Sequence, residues 1–527
     1  MKFKSKPQPQ RTTRRVRIAH AQTPLNGARC APYSDCSATP KSLIAEVELL
    51  KIVTLNSVTS VAKVFLVFGC APLLALITSC AMGPDYRRPQ VVAPQAYKES
   101  KDWKIAEPRD GVQRGKWWEI FADAPLNALA DKVSVSNQSL RLAEAQYRRA
   151  QALVQSARAS LFPSVSGTLG VTRSGSAARG AATAYDLGAN ASWDADLWGR
   201  VRRNVESNEA SAQASAADLE SVRLLVQSEL VLDYLQLRIL DTQKILLDES
   251  VVAFAKSLEL TQNRYKAGLA GRVDVAQAEA QVKSTQAQSI DTGVQRAQLE
   301  HAIAVLLGAS PAEFALAPTP IKAAMPSIPA GLPSELLERR PDIAAAERRA
   351  AAANAQIGVA KAAFFPSLTL SGNLGYQNSS FAQWLTAPSR VWSLGPQLVQ
   401  SIFDAGLRKA LTDQAIASYD ASVATYRQTV LSAFQDVEDN LAALRILEQE
   451  ARVQNEAVVA ARLSVDLTIN QYKAGIVSYL NVVTVQTTLL TNERTALLLL
   501  GRRFTAAAQL VRALGGGWTI ESKAAGK

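Results

Sequence analysis

Thiols and imidazoles are where soft-metal, redox or nucleophilic chemistry would begin, and this sequence uses few of either. Its cysteines are Cys30, Cys36, Cys70 and Cys80, and none follows position 80. The body of the chain therefore offers no disulfide framework and no thiolate metal site. The histidines are His20 and His301, and a lone histidine on a helix is more often structural or solvated than a ligand. No Ser–His pairing, His/Cys/Asp cluster or Gly-rich phosphate loop stands out. The expectation is a protein that is not an enzyme and carries no metal or diffusible cofactor.

One thiol does have a chemical setting. Residues 64–79 form an apolar run behind Lys63, interrupted by Pro72 and closed by small residues before Cys80. The run is short for a membrane span and fits the apolar region of a secretory signal. Ile77-Thr78-Ser79-Cys80 resembles a bacterial lipobox, in which the cysteine becomes the acylated first residue of the mature chain. Ala81 follows where an aspartate would favour inner-membrane retention, so the motif implies a lipid on Cys80 and the outer membrane. Residues 1–50 show neither an apolar run nor a period, and the expected translation start lies nearer 50–58, leaving 1–50 outside the working protein.

The formal net charge of +12 suggests a nucleic-acid partner until it is located. Residues 1–79 hold eleven Lys/Arg against three Asp/Glu, a net +8, which leaves only +4 on the rest. A nucleic-acid binder keeps its basic face on the folded part, so that class is set aside.

The elements that would position any site come in two copies. Arg264-Tyr265-Lys266-Ala267-Gly268 returns as Gln471-Tyr472-Lys473-Ala474-Gly475, 207 positions on. Leu161-Phe162-Pro163-Ser164 returns as Phe364-Phe365-Pro366-Ser367, 203 positions on. The order between these markers is also kept, so the chain reads as a duplicated unit of about 200 residues.

Within each unit the period changes twice. Proline is absent between Pro163 and Pro311 and after Pro396, in runs of 147 and 131 residues, which suits very long helices. Val423, Val430, Val437 and Leu444 recur at heptad spacing with Tyr426, Ala433, Asn440 and Leu447 interleaved, and Leu225, Leu232, Ile239 and Leu246 do the same in the first unit. That is a coiled-coil seam, and a helix over 200–262 would reach roughly 90 Å.

After each Phe-Pro-Ser corner the period becomes two. Ser164, Ser166, Thr168 and Thr172 alternate with Val165, Leu169 and Val171, while Ser367, Thr369, Ser371, Asn373 and Gln377 alternate with Leu368, Leu370, Leu374 and Tyr376. A second alternating run follows each, near 185–197 and 390–402. Such strands match a transmembrane β-barrel wall or a soluble sheet with one wet face. In a barrel Ser164, Ser166, Thr168, Ser367, Thr369, Ser371 and Asn373 are the lining candidates, and Trp193, Trp198, Trp384 and Trp392 suit an aromatic girdle. Each unit is thus helix-strand-strand-helix-helix, an α+β membrane protein. Four strands cannot close a barrel, so several copies must share one: two would give eight strands and three would give twelve around an open pore.

On these motifs the sequence resembles the TolC-type outer-membrane efflux proteins, in the lipoprotein branch known as the NodT family. The resemblance runs from Cys80 to about Trp518 and includes Cys80-Ala81-Met82-Gly83-Pro84-Asp85-Tyr86, Trp117-Trp118, Leu336-Leu337-Glu338-Arg339-Arg340-Pro341-Asp342-Ile343 and Ala513-Leu514-Gly515-Gly516-Gly517-Trp518. It implies a homotrimer with a twelve-stranded barrel and a twelve-helix periplasmic tunnel. It also implies a periplasmic adaptor (membrane fusion) protein and an inner-membrane transporter of the proton-driven RND type. The implied activity is passive export of drugs or other small molecules.

The resemblance places the two Tyr-Lys-Ala-Gly turns at the periplasmic tip, where the tunnel closes and the adaptor grips. Gly268 and Gly475 would supply positive φ, with Tyr265 and Tyr472 near the constriction. Well-studied relatives carry aspartate at the inner face of the second turn; here Asn481 and Thr484 are neutral and Asp274 belongs to the first unit, so a weak cation preference is expected at the tip. The expected boundaries are a leader over 1–79, a lipid-anchored segment over 80–125, repeat 1 over 126–308, a linker with six prolines over 309–335, repeat 2 over 336–518 and a tail over 519–527. A protein-secretion duct and a lipid-anchored periplasmic coiled-coil scaffold are the alternatives.

Overall fold

The computed structural model describes residues 81–90, 115–177, 180–323, 325–326 and 340–516. Cys80, Leu336 to Arg339, and Gly517-Trp518 lie outside them. A 3-10 turn at Trp117–Phe121 leads into α1 (Ala124–Ser136), α2 (Gln138–Ala159), β1 (Ser164–Ser176), β2 (Gly180–Ala195), α3 (Arg200–Lys266) and α4 (Arg272–Leu306). The second copy is α5 (Pro341–Ala362), β3 (Ser367–Asn378), β4 (Arg390–Val399), α6 (Leu407–Lys473) and α7 (Tyr479–Ala513).

The duplication is kept to the residue. α2 and α5 have 22 residues each, α3 and α6 have 67, and α4 and α7 have 35. At 1.5 Å per residue the long helices reach about 100 Å. None of the helices among the described residues is long and apolar enough to cross a membrane.

Both long helices start in the same way. Gly199 and Gly406 hold φ of 77° and 90° at the N-cap, which glycine adopts without a Cβ penalty. Asp196 accepts from the N–H groups of Val201 and Arg202 at 2.9 Å, and Asp404 from those of Gly406 and Arg408 at 3.0 and 3.2 Å. Carboxylates there meet both orphan donors and the positive helix end.

α3 packs against α2, α4, α5 and α7, while α6 packs against α5 and α7. One position of the heptad reading of the first unit is corrected: Leu225 is 50% exposed, whereas Ile239 is buried and Leu232 and Leu246 are partly buried against the core, and Leu224, Val226, Leu230 and Val231 are buried as well. A helix with neighbours on several sides buries more than one stripe, so a two-helix seam misplaces its core. In α6 the seam fits better, with Tyr426, Val430, Ala433, Val437 and Leu447 buried.

The main core lies midway along α3, where Trp117, Trp118, Phe121 and Leu126 pack with Leu230, Tyr234, Leu237, Ile303 and Phe504. Trp117, Trp118, Ile120 and Phe121 thus join this core from the stretch that precedes the expected start of repeat 1. Asp123 caps α1 through the Leu126 N–H at 3.0 Å and accepts from Tyr234 Oη at 2.8 Å. Nearby, buried Asp241 accepts from Arg238 at 2.9 Å, Arg296 at 2.7 Å and the Thr319 N–H at 3.0 Å, tying the start of the proline-rich linker to α3 and α4. A buried carboxylate holds its charge only with such partners.

The sheet is antiparallel in the order β1-β2-β3-β4. Its strands run longer than the alternation alone indicated, β1 to Ser176 and β2 from Gly180, while β4 stops at Val399. Ile402 and Phe403 therefore fall outside it, 94% and 87% exposed.

Candidate functional site at the hairpin tips and on the sheet

The turns at Tyr265-Lys266-Ala267-Gly268 and Tyr472-Lys473-Ala474-Gly475 are Schellman motifs of one design. Gly268 and Gly475 sit at φ 73° and 80°. The N–H of Leu269 reaches Arg264 O at 2.8 Å, and that of Ile476 reaches Gln471 O at 2.9 Å. Each bond satisfies a carbonyl left over at the end of a long helix.

Beyond the backbone the two turns diverge. Tyr472 is 4% exposed, and its Oη lies 3.3 Å from Thr261 Oγ1; Tyr265 is 46% exposed. Tyr472 meets Tyr479 edge-on at 5.6 Å, and both pack with Ala278 and Val482. Burial, aided by Tyr472 and the charge of Asp274, pushes the Tyr479 hydroxyl up to about 12. The Arg264 guanidinium covers the Tyr472 ring at 4.8 Å and donates to Lys473 O at 3.1 Å. Arg264 opens the repeated phrase without being a tip candidate, and Thr261 and Tyr479 lie outside that phrase.

Asp274 acts locally, its Oδ2 accepting the Gly271 N–H at 3.0 Å and so capping α4. Asn481, its equivalent 207 positions on, is exposed. Thr484 is exposed too, and its hydroxyl donates back to Leu480 O at 2.9 Å. Outside the cluster the tips carry an exposed aliphatic rim in repeat-related pairs, Leu269 with Ile476 and Val273 with Leu480, each more than half exposed.

At the other end of the helices, strand register sorts the sheet into two faces, since directly paired residues share a side. One row reads Ser166, Asn190, Asn373, Ser393 and another Ser164, Ser192, Ser371, Gly395. All seven lining candidates, Ser164, Ser166, Thr168, Ser367, Thr369, Ser371 and Asn373, fall on this polar face. Asp186 and Asp194 share it; Thr369 Oγ1 donates to Asp194 at 2.7 Å. Those two carboxylates were missed, although their spacing of eight in an alternating strand would have put them on one side.

The opposite face carries Val165, Leu169, Val171, Leu187, Leu370, Leu374 and Leu394. On it Tyr185 and Trp193 stand eight residues apart, about 26 Å along the strand at ~3.3 Å per residue. Trp193 Nε1 donates to Leu161 O at 2.9 Å and Trp198 Nε1 to Pro366 O at 2.7 Å at the helix end of the sheet, while Trp384 packs on Tyr185 at the far end. Trp392 pairs with Leu374 within the apolar face rather than at a border.

The segment after Cys80 is fastened at the strand–helix junction. Met82 N–H donates to Trp198 O at 3.1 Å, and Ala81 lies so close that a Cβ on Gly199 would come within 2.8 Å of its Cα. Arg203 holds Asp85 at 2.8 Å and Tyr86 donates to Glu347 at 2.7 Å.

A duplicated set of long helical hairpins joined to one two-faced sheet is the build of a conduit, with no catalytic grouping among the described residues. The chain belongs to the outer membrane efflux protein family, whose profile matches residues 129–309 and 332–516. It is similar to the cation efflux system protein CusC of Escherichia coli O6:H1, 30% identical over 446 residues, which cover 84% of this chain and 96% of the relative. It is also similar to the pyoverdine export outer membrane protein OpmQ of Pseudomonas aeruginosa, 32% identical over 456 residues, covering 84% and 95%. The outer-membrane channel OprN has the same fold, with a TM-score of 0.76 at 31% identity over 83% of this chain and 100% of that one.

Proposed function

We propose that the protein is the outer-membrane channel of a tripartite efflux pump, a passive duct through which drugs, cations or other small molecules leave the cell. The sheet carries this reading: one apolar face, one polar face, and two edge strands, β1 and β4, each paired on one side only among the described residues. In lipid such edges must be closed. A homotrimer supplies twelve strands, and its polar faces then line a wet pore. The 100 Å helices continue that pore into the periplasm.

The tips meet the partners. The rim of Leu269, Val273, Ile476 and Leu480 suits apolar docking by a periplasmic adaptor, and the adaptor couples the duct to an inner-membrane transporter of the RND type. Tyr265, Gly268, Asp274, Tyr472, Gly475, Asn481 and Thr484 form or border the closable end. The names of CusC and OpmQ point to different cargoes, so the transporter selects what is exported.

Cys80 carries the lipid. Its neighbour Ala81 is held beside Gly199 and Trp198, at the level where strands become helices, so an acyl chain on Cys80 enters the periplasmic leaflet beside the barrel. The working chain then comprises the anchor segment from 80, repeat 1, the linker and repeat 2, with 1–79 removed as a leader.

The test is the oligomeric mass of the mature protein extracted from outer membranes in mild detergent, corrected for bound detergent, together with conductance in planar bilayers. A heat-sensitive trimer that conducts is expected. A stable, non-conducting monomer would replace the duct with a lipid-anchored scaffold.

A further inference from the structure

Only four residues in the four strands are charged: Arg173, Asp186, Asp194 and Arg390. The register separates them by sign. Both aspartates lie on the polar face; Arg173, paired with Thr183, and Arg390, paired with Tyr376, lie on the apolar face. Neither arginine meets a carboxylate among the described residues, and both are exposed. The sheet itself screens them from Asp186 and Asp194.

Their depth is equally selective. They flank the rung of Tyr185 toward the far end of the sheet, Arg390 two rungs on its helix side and Arg173 two rungs beyond it. There Tyr185, Phe381 and Trp384 form an aromatic shelf with ring centroids 5.4 to 6.1 Å apart, and Trp384 Nε1 donates to the carbonyl of Tyr376, the strand partner of Arg390. From Arg390 the apolar face of β4 continues through Trp392, Leu394 and Pro396 to Leu398 without another charge. A cation on the lipid face is costly at mid-bilayer and tolerated at its border, and aromatic rings mark that border.

On the barrel reading above, on which this depends, that border is the outer leaflet. Arg173 is on β1 and Arg390 on β4, the two open edges. Edge-to-edge closure puts them on neighbouring strands at every seam between copies. An outward guanidinium without a protein anion presents a planar fork that fits phosphate with two parallel hydrogen bonds. We infer that Arg173 and Arg390 bind the phosphate of an outer-leaflet lipid headgroup at the seams of the barrel.

The experiment uses the mature protein extracted from outer membranes, exchanged into neutral detergent and offered bisphosphorylated lipid A or its dephosphorylated form. Native mass spectrometry counts bound lipid. The wild type is expected to favour the phosphorylated form by about tenfold, and the Arg173→Gln/Arg390→Gln double variant to lose most of that preference. Arg141→Gln, an exposed arginine on α2, should bind as the wild type does. Equal retention by wild type and double variant, or indifference to phosphate, overturns the inference. Heat-modifiable migration on denaturing gels separates the causes: where it is present with no phosphate preference, only the lipid site fails, and where it is absent, the barrel reading fails with it.

Discussion

Arg264 of the first hairpin covers the ring of Tyr472 in the second at 4.8 Å and donates to the carbonyl of Lys473 at 3.1 Å. The repeat mate of Arg264 is Gln471, and that of Tyr472 is the exposed Tyr265. The clamp within one chain thus has a cation, whereas the junction that Gln471 and Tyr265 could form with a second copy has none. A cation–π contact of this kind is worth about 0.5–2 kcal/mol. Arg264→Gln should therefore raise the open probability of single channels several-fold. An unchanged open probability would mean that this clamp does not restrain the tip.

The turn glycines and the sheet glycines should fail in different ways. A Cβ on Gly268 would meet nothing within 4 Å, so Gly268→Ala costs only the left-handed backbone, about 1 kcal/mol. A Cβ on Gly375 would lie 2.3 Å from the Leu187 carbonyl oxygen, forcing β2 and β3 apart. Gly375→Ala should abolish the heat-modifiable folded form, while Gly268→Ala lowers its melting temperature by a few degrees.

Ion selectivity should be set in the sheet more than at the tip. Asp186 and Asp194 share the polar face, whereas Asn481 and Thr484 are neutral. Asp186→Asn/Asp194→Asn should shift the reversal potential in a KCl gradient toward zero. Thr484→Asp should shift it the other way; no change would remove Thr484 from the constriction.

Burial first, and then the nearby Glu229, raises the carboxyl of Asp233 from 3.8 to about 6. The folded chain therefore binds a proton that the unfolded chain has released over that interval, so stability falls as pH rises from about 4 to about 6. Asp233→Asn should stabilise the protein at pH 7.5, by about 1 kcal/mol once solvent screening of a half-buried group is allowed for, and have little effect at pH 4. Thermal unfolding at the two pH values measures the difference.

Periodicity made the duplicated hairpins legible, because the Pro-free runs and the two Tyr-Lys-Ala-Gly turns are local signals. Alternation made the two faces of the sheet legible for the same reason, down to the side on which Ser166 and Asn373 lie. What sequence could not supply was inequality between the copies. Tyr265 and Tyr472 read identically, yet one chain builds only one of the two junctions, and Tyr472 occupies it. Leu225 fits a heptad but faces outward, because α3 has more neighbours than a two-stranded coil provides. The caps at Asp196 and Asp404 escaped notice because their offset, 208 positions, differs by one from that of the tips.

The matched lengths of α3 and α6, 67 residues each, make the protein a ruler read twice. Loss of seven residues from one copy would shorten that leg by about 10 Å and leave Arg264 and Tyr472 at different heights. Loss from both would keep them level and yield a shorter instrument. The gap such a duct can bridge is thus written as a residue count, and it can be revised only in paired edits.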